Sequence, residues 1–395
     1  MVDHIHELIS IALTPDKSRK TLRAFMLLSN LKNNELMKAA LNDDFLDIIA
    51  DCLLRNKAAP EYVIGRLSTI TLVACMCFPN DYIKSTSYLT ILLKYAHNSS
   101  VFFFFKKLFS EDPRMRIIQD WMVSTRFSGY ISDLIIFFDI NHYCDESTSY
   151  SDDFFQLLSS LYMIISFGAS NQVTLPSFQT DEIIHALTKV FTYEPAYIKG
   201  SRWKAICSLC SPKFIGTMNQ FIPIALSLLI EQTKNINLYQ VQCINFLLLA
   251  LKLDENNGKI LRDLDIFQIL IGLVIKHHES SILTNSFRAF VVCSMKNNDI
   301  CKDILLLYVP FLMHEAVNKE YGLLSSICWF LLAKATNESR FNKKIRETLK
   351  LIPGFSEFKE TKLLRYLNII ERQYGGPVPI ETYTAFATPA SPSIF

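Results

Sequence analysis

A chain of 395 residues is longer than one compact core usually holds, which implies either two or three domains or one elongated array. Half of the residues are hydrophobic and 20% are charged, which excludes intrinsic disorder over most of the length. A net charge of +2 excludes a surface field able to hold a polyanion. Glycine (11) and proline (14) are too scarce for the tight turns of a βαβ enzyme this long, so the composition points to long helices joined by short polar loops.

The start, Met1-Val-Asp-His-Ile-His-Glu7, lacks the basic residues and apolar run of a signal peptide. The first strong segment is Asp43-Asp-Phe-Leu-Asp-Ile-Ile-Ala-Asp-Cys-Leu-Leu54. Asp43 or Asp44 can cap it, and Phe45, Ile48, Ile49, Cys52 and Leu53 recur at helical spacing. A polar break over 55–60 separates it from a partner helix predicted from Tyr62 to Phe78. Similar openings near Tyr88, Ile131, Ile183, Phe221, Ile266 and Val309 follow one another at roughly 38 to 52 residues, bracketing the repeat lengths of armadillo and HEAT units. The expected fold is therefore all-α, an armadillo/HEAT-like helical-repeat solenoid over residues 1–374.

Val101-Phe-Phe-Phe-Phe-Lys-Lys-Leu-Phe109 is the densest aromatic run. It reads as an inner helix buried on nearly all sides, in preference to an exposed anchor for a partner or a membrane surface. The polar, acidic stretch His142 to Asp153 reads as a long surface loop. Three later helix pairs are plain: Phe221–Glu231 with Leu238–Leu253, Ile266–His277 with Ser281–Met295, and Ile304–Val317 with Tyr321–Ala335. The longest apolar stretches, Leu157–Ala169, Phe221–Ile230 and Leu323–Ala333, fall short of the roughly 20 residues that span a bilayer. Buried helices thus account for the positive mean hydropathy of +0.20, and no membrane insertion is expected. The basic run Arg340 to Lys350 is interrupted by Glu347 and lies on the polar side of one amphipathic helix, a solvated face and not a nucleic-acid patch. From Gly375 to Phe395 the chain is proline-rich and aperiodic, a disordered tail.

Candidate chemistry is sparse. Cys207-Ser-Leu-Cys210 is the only CxxC, and no second ligand pair follows it, so it reads as two core cysteines one turn apart. Of the ten cysteines, Cys75, Cys77, Cys243, Cys293 and Cys328 sit inside apolar runs, as thiols do in a reducing compartment, cytosol or nucleus. His277-His278 closes a helix, where imidazolium would favour the dipole, and adjacent residues point apart and cannot chelate together. Trp121, Trp203 and Trp329 lie in helical runs and should pack between helices. There is no GxSxG, P-loop, GxGxxG, HExxH or Gly-Asp dipeptide. No catalytic residue, cofactor or metal site is expected, and binding of other proteins is the remaining role.

The segment order also resembles the SAPS family. The resemblance lies in Asn42-Asp-Asp-Phe-Leu-Asp-Ile-Ile49, Tyr88 to Val101 with its Asn98-Ser-Ser-Val101 turn, Lys107 to Pro113, Ile118-Gln-Asp-Trp-Met122 and Tyr130 to Ile135. It continues through Leu238 to Leu251, Lys259 to Leu270 and Val274 to Phe287, and departs at Lys276 to Asn285, where the family has an aromatic stretch. The resemblance implies a non-catalytic regulatory subunit that binds the catalytic subunit of a PPP-family Ser/Thr phosphatase of the phosphatase-six type, in the cytoplasm or nucleus. An armadillo-type adaptor unrelated to phosphatases is the alternative. In the most family-like stretch, charges crowd a helix-connecting turn at Glu111, Asp112, Arg114, Arg116, Asp120 and Arg126. These six are the candidate protein contacts, because loop edges of a helical repeat are where partners dock.

Overall fold

The computed structural model describes residues 4–32, 34–42, 45–55, 59–84, 88–142, 152–191, 194–231, 233–318 and 322–370. Of these, 81% are helical and none is in a strand, so the protein is all-α. The candidate caps Asp43 and Asp44, most of the predicted 142–153 loop and the 375–395 tail lie outside the described residues. The helices group into two compact units that divide after Asp254.

In the first unit several helices start where a side chain satisfies their open N–H groups. Ser18 caps Arg19–Leu28, Asn98 caps Ser99–Leu108, and Thr180 caps Asp181–Thr188. Asn237 and Gln240 form a reciprocal capping box on Leu238–Leu253. Pro60 and Pro195 immediately precede Glu61–Cys77 and Ala196–Leu209, two long helices of the unit.

Apolar residues then appear on more than one face of these long helices, because each is covered on both sides. Glu61–Cys77 packs on Ser99–Leu108, and Asp152–Ser170 packs on Ala196–Leu209, which in turn packs on Leu238–Leu253. Ser159 and Ser201, and again Ser166 and Ser208, meet through their hydroxyls at 2.7 and 2.8 Å, each pair 42 residues apart. Two such contacts at one offset, two turns apart along both helices, hold the helices in register. At Gly168 an added Cβ would stand 2.2 Å from the Phe178 ring, so only glycine lets that helix approach Leu175–Phe178. Trp203, Phe221 and Phe246 form a mutually contacting aromatic cluster, with centroids 5.5–6.4 Å apart.

Two arginines are buried in this unit. Arg66 donates to the carbonyls of Ala12, Thr14 and Asp16, which close the end of helix Ile5–Ala12, and so a cation meets the negative end of a helix. Arg202 pairs with Glu194 at 2.8 Å. Burial nevertheless pushes the Glu194 carboxyl up, and Arg202 offsets that only in part.

The second unit is built the same way on a smaller scale. Phe267, Phe287 and Tyr308 pack together, and the Tyr308 hydroxyl donates to the Phe267 carbonyl at 3.1 Å. Trp329 is sandwiched between Tyr366 at 4.7 Å and Phe358 at 5.5 Å, which fixes the last described helix, Leu364–Ile370. The basic run 340–350 is not one helix. Gly322–Phe341 ends there, and Asn342 caps a new helix, Lys343–Leu351, by accepting from Lys344 and Ile345 N–H. An asparagine inside a charged run competes for backbone donors, which breaks the helix.

Candidate protein-binding edge

The candidate edge begins where helix Ser99–Leu108 runs out of hydrogen-bond partners. Its terminal carbonyls need donors, and two buried carboxamides supply them. Gln119 donates through Nε2 to Leu108 O at 2.7 Å and Ser110 O at 2.8 Å, and Asn171 through Nδ2 to Phe109 O at 3.1 Å and Ser110 O at 3.3 Å. Gln119 occupies the same helix face as Met115, Ile118 and Met122, a polar residue in a core phase. Sequence inspection can detect that displacement. It cannot name Asn171 as the second clamp, which lies 62 residues beyond the carbonyl it holds.

The charged turn sits on this frame. Asp112 caps the 3-10 turn Pro113–Met115 through Arg114 N–H at 3.1 Å, and takes the Arg114 guanidinium on both carboxylate oxygens at 3.0 and 2.7 Å. Lys107 reaches the same carboxylate at 3.0 Å. Hydrogen bonds from Arg114 and Lys107 hold the Asp112 carboxyl well below the usual carboxylate range. Arg116 pairs with Asp120 one turn on, at 3.2 Å and exposed to solvent. Glu111 is exposed and makes no ion pair or hydrogen bond to a described residue.

Glu111, Asp112, Pro113, Arg116 and Gln119 line a cleft of about 470 Å³, with Asn171, Gln172 and Val173 on its other side. Four of the six candidate contacts thus come together: Glu111, Asp112 and Arg116 in the lining, and Arg114 bound to Asp112. Asp120 joins them through Arg116. Arg126 is not part of the lining. It sits at φ 54° between helices Arg116–Ser124 and Phe127–His142 and pairs with Glu182 at 3.0 Å, at the start of helix Asp181–Thr188. Pro113, the clamps and the far wall, Gln119, Asn171, Gln172 and Val173, are the lining residues that the sequence reading did not select.

One other expectation needs correction. The aromatic helix is not buried on nearly all sides: Phe103 is 57% exposed and Lys106 shares its outward side, while Val101, Phe104, Phe105 and Leu108 are buried. His277 closes helix Ile266–Lys276 as its C-cap, its backbone N–H donating to the Leu273 carbonyl, and burial with the neighbouring Lys276 lowers its pKa. Cys207 and Cys210 do sit one turn apart against apolar neighbours. Burial pushes the Cys210 thiol up to about 12, and the Cys207 thiol is raised by the same cause and donates to Gln242 O. No cluster of three metal-ligating side chains occurs among the described residues, and none of the described helices is long and apolar enough to cross a membrane.

No protein-family model matches the chain, and no curated protein is significantly similar to it.

Proposed function

We propose that this chain is a non-catalytic regulatory or scaffolding subunit that binds the catalytic subunit of a PPP-family Ser/Thr phosphatase of the phosphatase-six type, through an armadillo/HEAT-like array of helices. The observation that carries the phosphatase reading is the SAPS-like order of segments, with its Asn98-Ser-Ser-Val101 turn and Asp120-Trp121 pair. The repeat reading is supported by helices beginning at 152, 196 and 238 that pack one on the next. It is also supported by a recurring asparagine. Asn98, Asn171 and Asn297 each accept backbone N–H groups just downstream and donate Nδ2 to a carbonyl 37, 62 and 42 residues upstream. Each asparagine caps one segment and ties it to an earlier one. The described cysteines are free, in keeping with a cytoplasmic or nuclear location. An armadillo-type adaptor for another partner would use the same helices and the same edge, so the two readings separate only on what binds.

The charged edge at Glu111, Asp112, Arg114, Arg116, Asp120 and Arg126 is the contact surface in this proposal. Single reversals there should do little, because exposed charges mainly tune encounter and register. Reversing Arg114, Arg116 and Arg126 together should weaken binding of the catalytic subunit by about tenfold or more, roughly 1.4 kcal/mol. Circular dichroism and melting serve as controls for folding. Equal affinity of the folded triple variant and the wild type would remove this edge from the interface.

A further inference from the structure

A surface helix ordinarily turns its larger apolar residues to the core. Helix Arg19–Leu28 does so only in part. It buries Thr21, Ala24 and Leu28, and leaves Leu22 43% and Met26 66% exposed. Helical spacing sets Leu22 and Met26 one turn apart, with Arg19 and Arg23, also one turn apart, directly beside them. The segment is strongly cationic as well. Lys17, Arg19, Lys20, Arg23 and Lys32 lie between 17 and 32 with no carboxylate among them, in a chain whose net charge is +2. All five are exposed, and none makes an ion pair with a described residue. Lys17 stands instead over the Tyr62 ring, 5.0 Å from its centre. Asp16, the carboxylate just before the segment, accepts the Ser18 N–H. Arg55, Arg116 and Lys343, on other helices, each meet a carboxylate one turn away.

We propose that this face docks on an anionic lipid surface, with helix Arg19–Leu28 lying flat on it. Leu22 and Met26 enter the boundary between headgroups and acyl chains, and Lys17, Arg19, Lys20 and Arg23 meet the lipid phosphates and carboxylates. The choice of occupant follows from the mixture on the face. An acidic peptide would satisfy the cations and leave the apolar pair in water, whereas an apolar groove would cover the pair and strand the cations. The interface of an anionic membrane offers both in one plane. The small net charge of the chain does not oppose this, because attraction to a surface is screened within about 10 Å and acts on the local charges. Docking of this kind stays at the surface, and none of the described helices is long and apolar enough to cross a membrane. The inference rests on this face alone and not on the phosphatase reading.

Co-sedimentation of the full chain with vesicles tests the proposal. Phosphatidylcholine vesicles with about 30% phosphatidylserine should bind the chain at least about tenfold more tightly than phosphatidylcholine alone, and added salt should weaken that binding. Arg19→Glu, Lys20→Glu and Arg23→Glu together should abolish the preference for the anionic vesicles. Leu22→Ser with Met26→Ser should weaken binding to them by about tenfold and leave its salt dependence in place. All five positions are exposed, so both variants should melt at the wild-type temperature. No binding to the anionic vesicles, equal binding to the two lipids, or binding that survives either set of substitutions would overturn the proposal. A chain that binds polyglutamate and not the vesicles would assign the face to an acidic protein, which overturns it as well.

Discussion

Asp112 serves three groups with one carboxylate: the Arg114 N–H that opens the Pro113–Met115 turn, the Arg114 guanidinium and the Lys107 ammonium. Its folded pKa lies below the ordinary 3.8, so its contribution to stability is present above that value and is lost as pH falls through it. The stability gap between wild type and Asp112→Asn should therefore be constant from about pH 5 to 8 and should narrow below about pH 4. Denaturant melts at each pH measure it, and a gap that widens on acidification would contradict the assignment. The charges at this turn were legible in the sequence as a cluster. What they hold was not. Asn171 and Glu182 are separated by tens of residues from the groups they meet, and nothing in a local window links them. Gln119 could have been found, because a glutamine in step with Met115, Ile118 and Met122 must spend its amide on something buried.

At the scale of the element, periodicity was a good guide where a helix is long and its ends are capped by side chains. Leu238–Leu253 begins and ends at the residues its apolar spacing predicts, and Ser281–Lys296 differs by one residue at its end. The reading failed at 340–350, since amphipathic spacing runs through Asn342 without a break while the backbone restarts there. Helix Cys301–Val317 carries the opposite device, a proline in its interior. Pro310 lies on the exposed side, so the carbonyl that loses its partner can turn to water. Pro310→Ala should restore one helical hydrogen bond and remove the ring's clash. The greater freedom of the unfolded chain offsets part of that gain. Chemical denaturation should show a rise of about 1–2 kcal/mol. A fall in stability would mean that the proline itself is needed for packing.

At the scale of the whole molecule, helix content and the absence of strand among the described residues follow from a glycine-poor chain with repeated apolar segments. The division after Asp254 was not legible, because apolar periodicity continues on both sides of it. On the proposed reading the chain acts through a surface assembled from several elements, and such a surface leaves no short motif in the sequence. The function therefore has to be read from what binds. Isothermal titration of the purified chain with a purified phosphatase-six-type catalytic subunit is the most direct measurement. The account predicts a one-to-one complex from a chain that has no phosphatase activity by itself. No heat of binding and no co-elution at concentrations up to about 10 μM would contradict it.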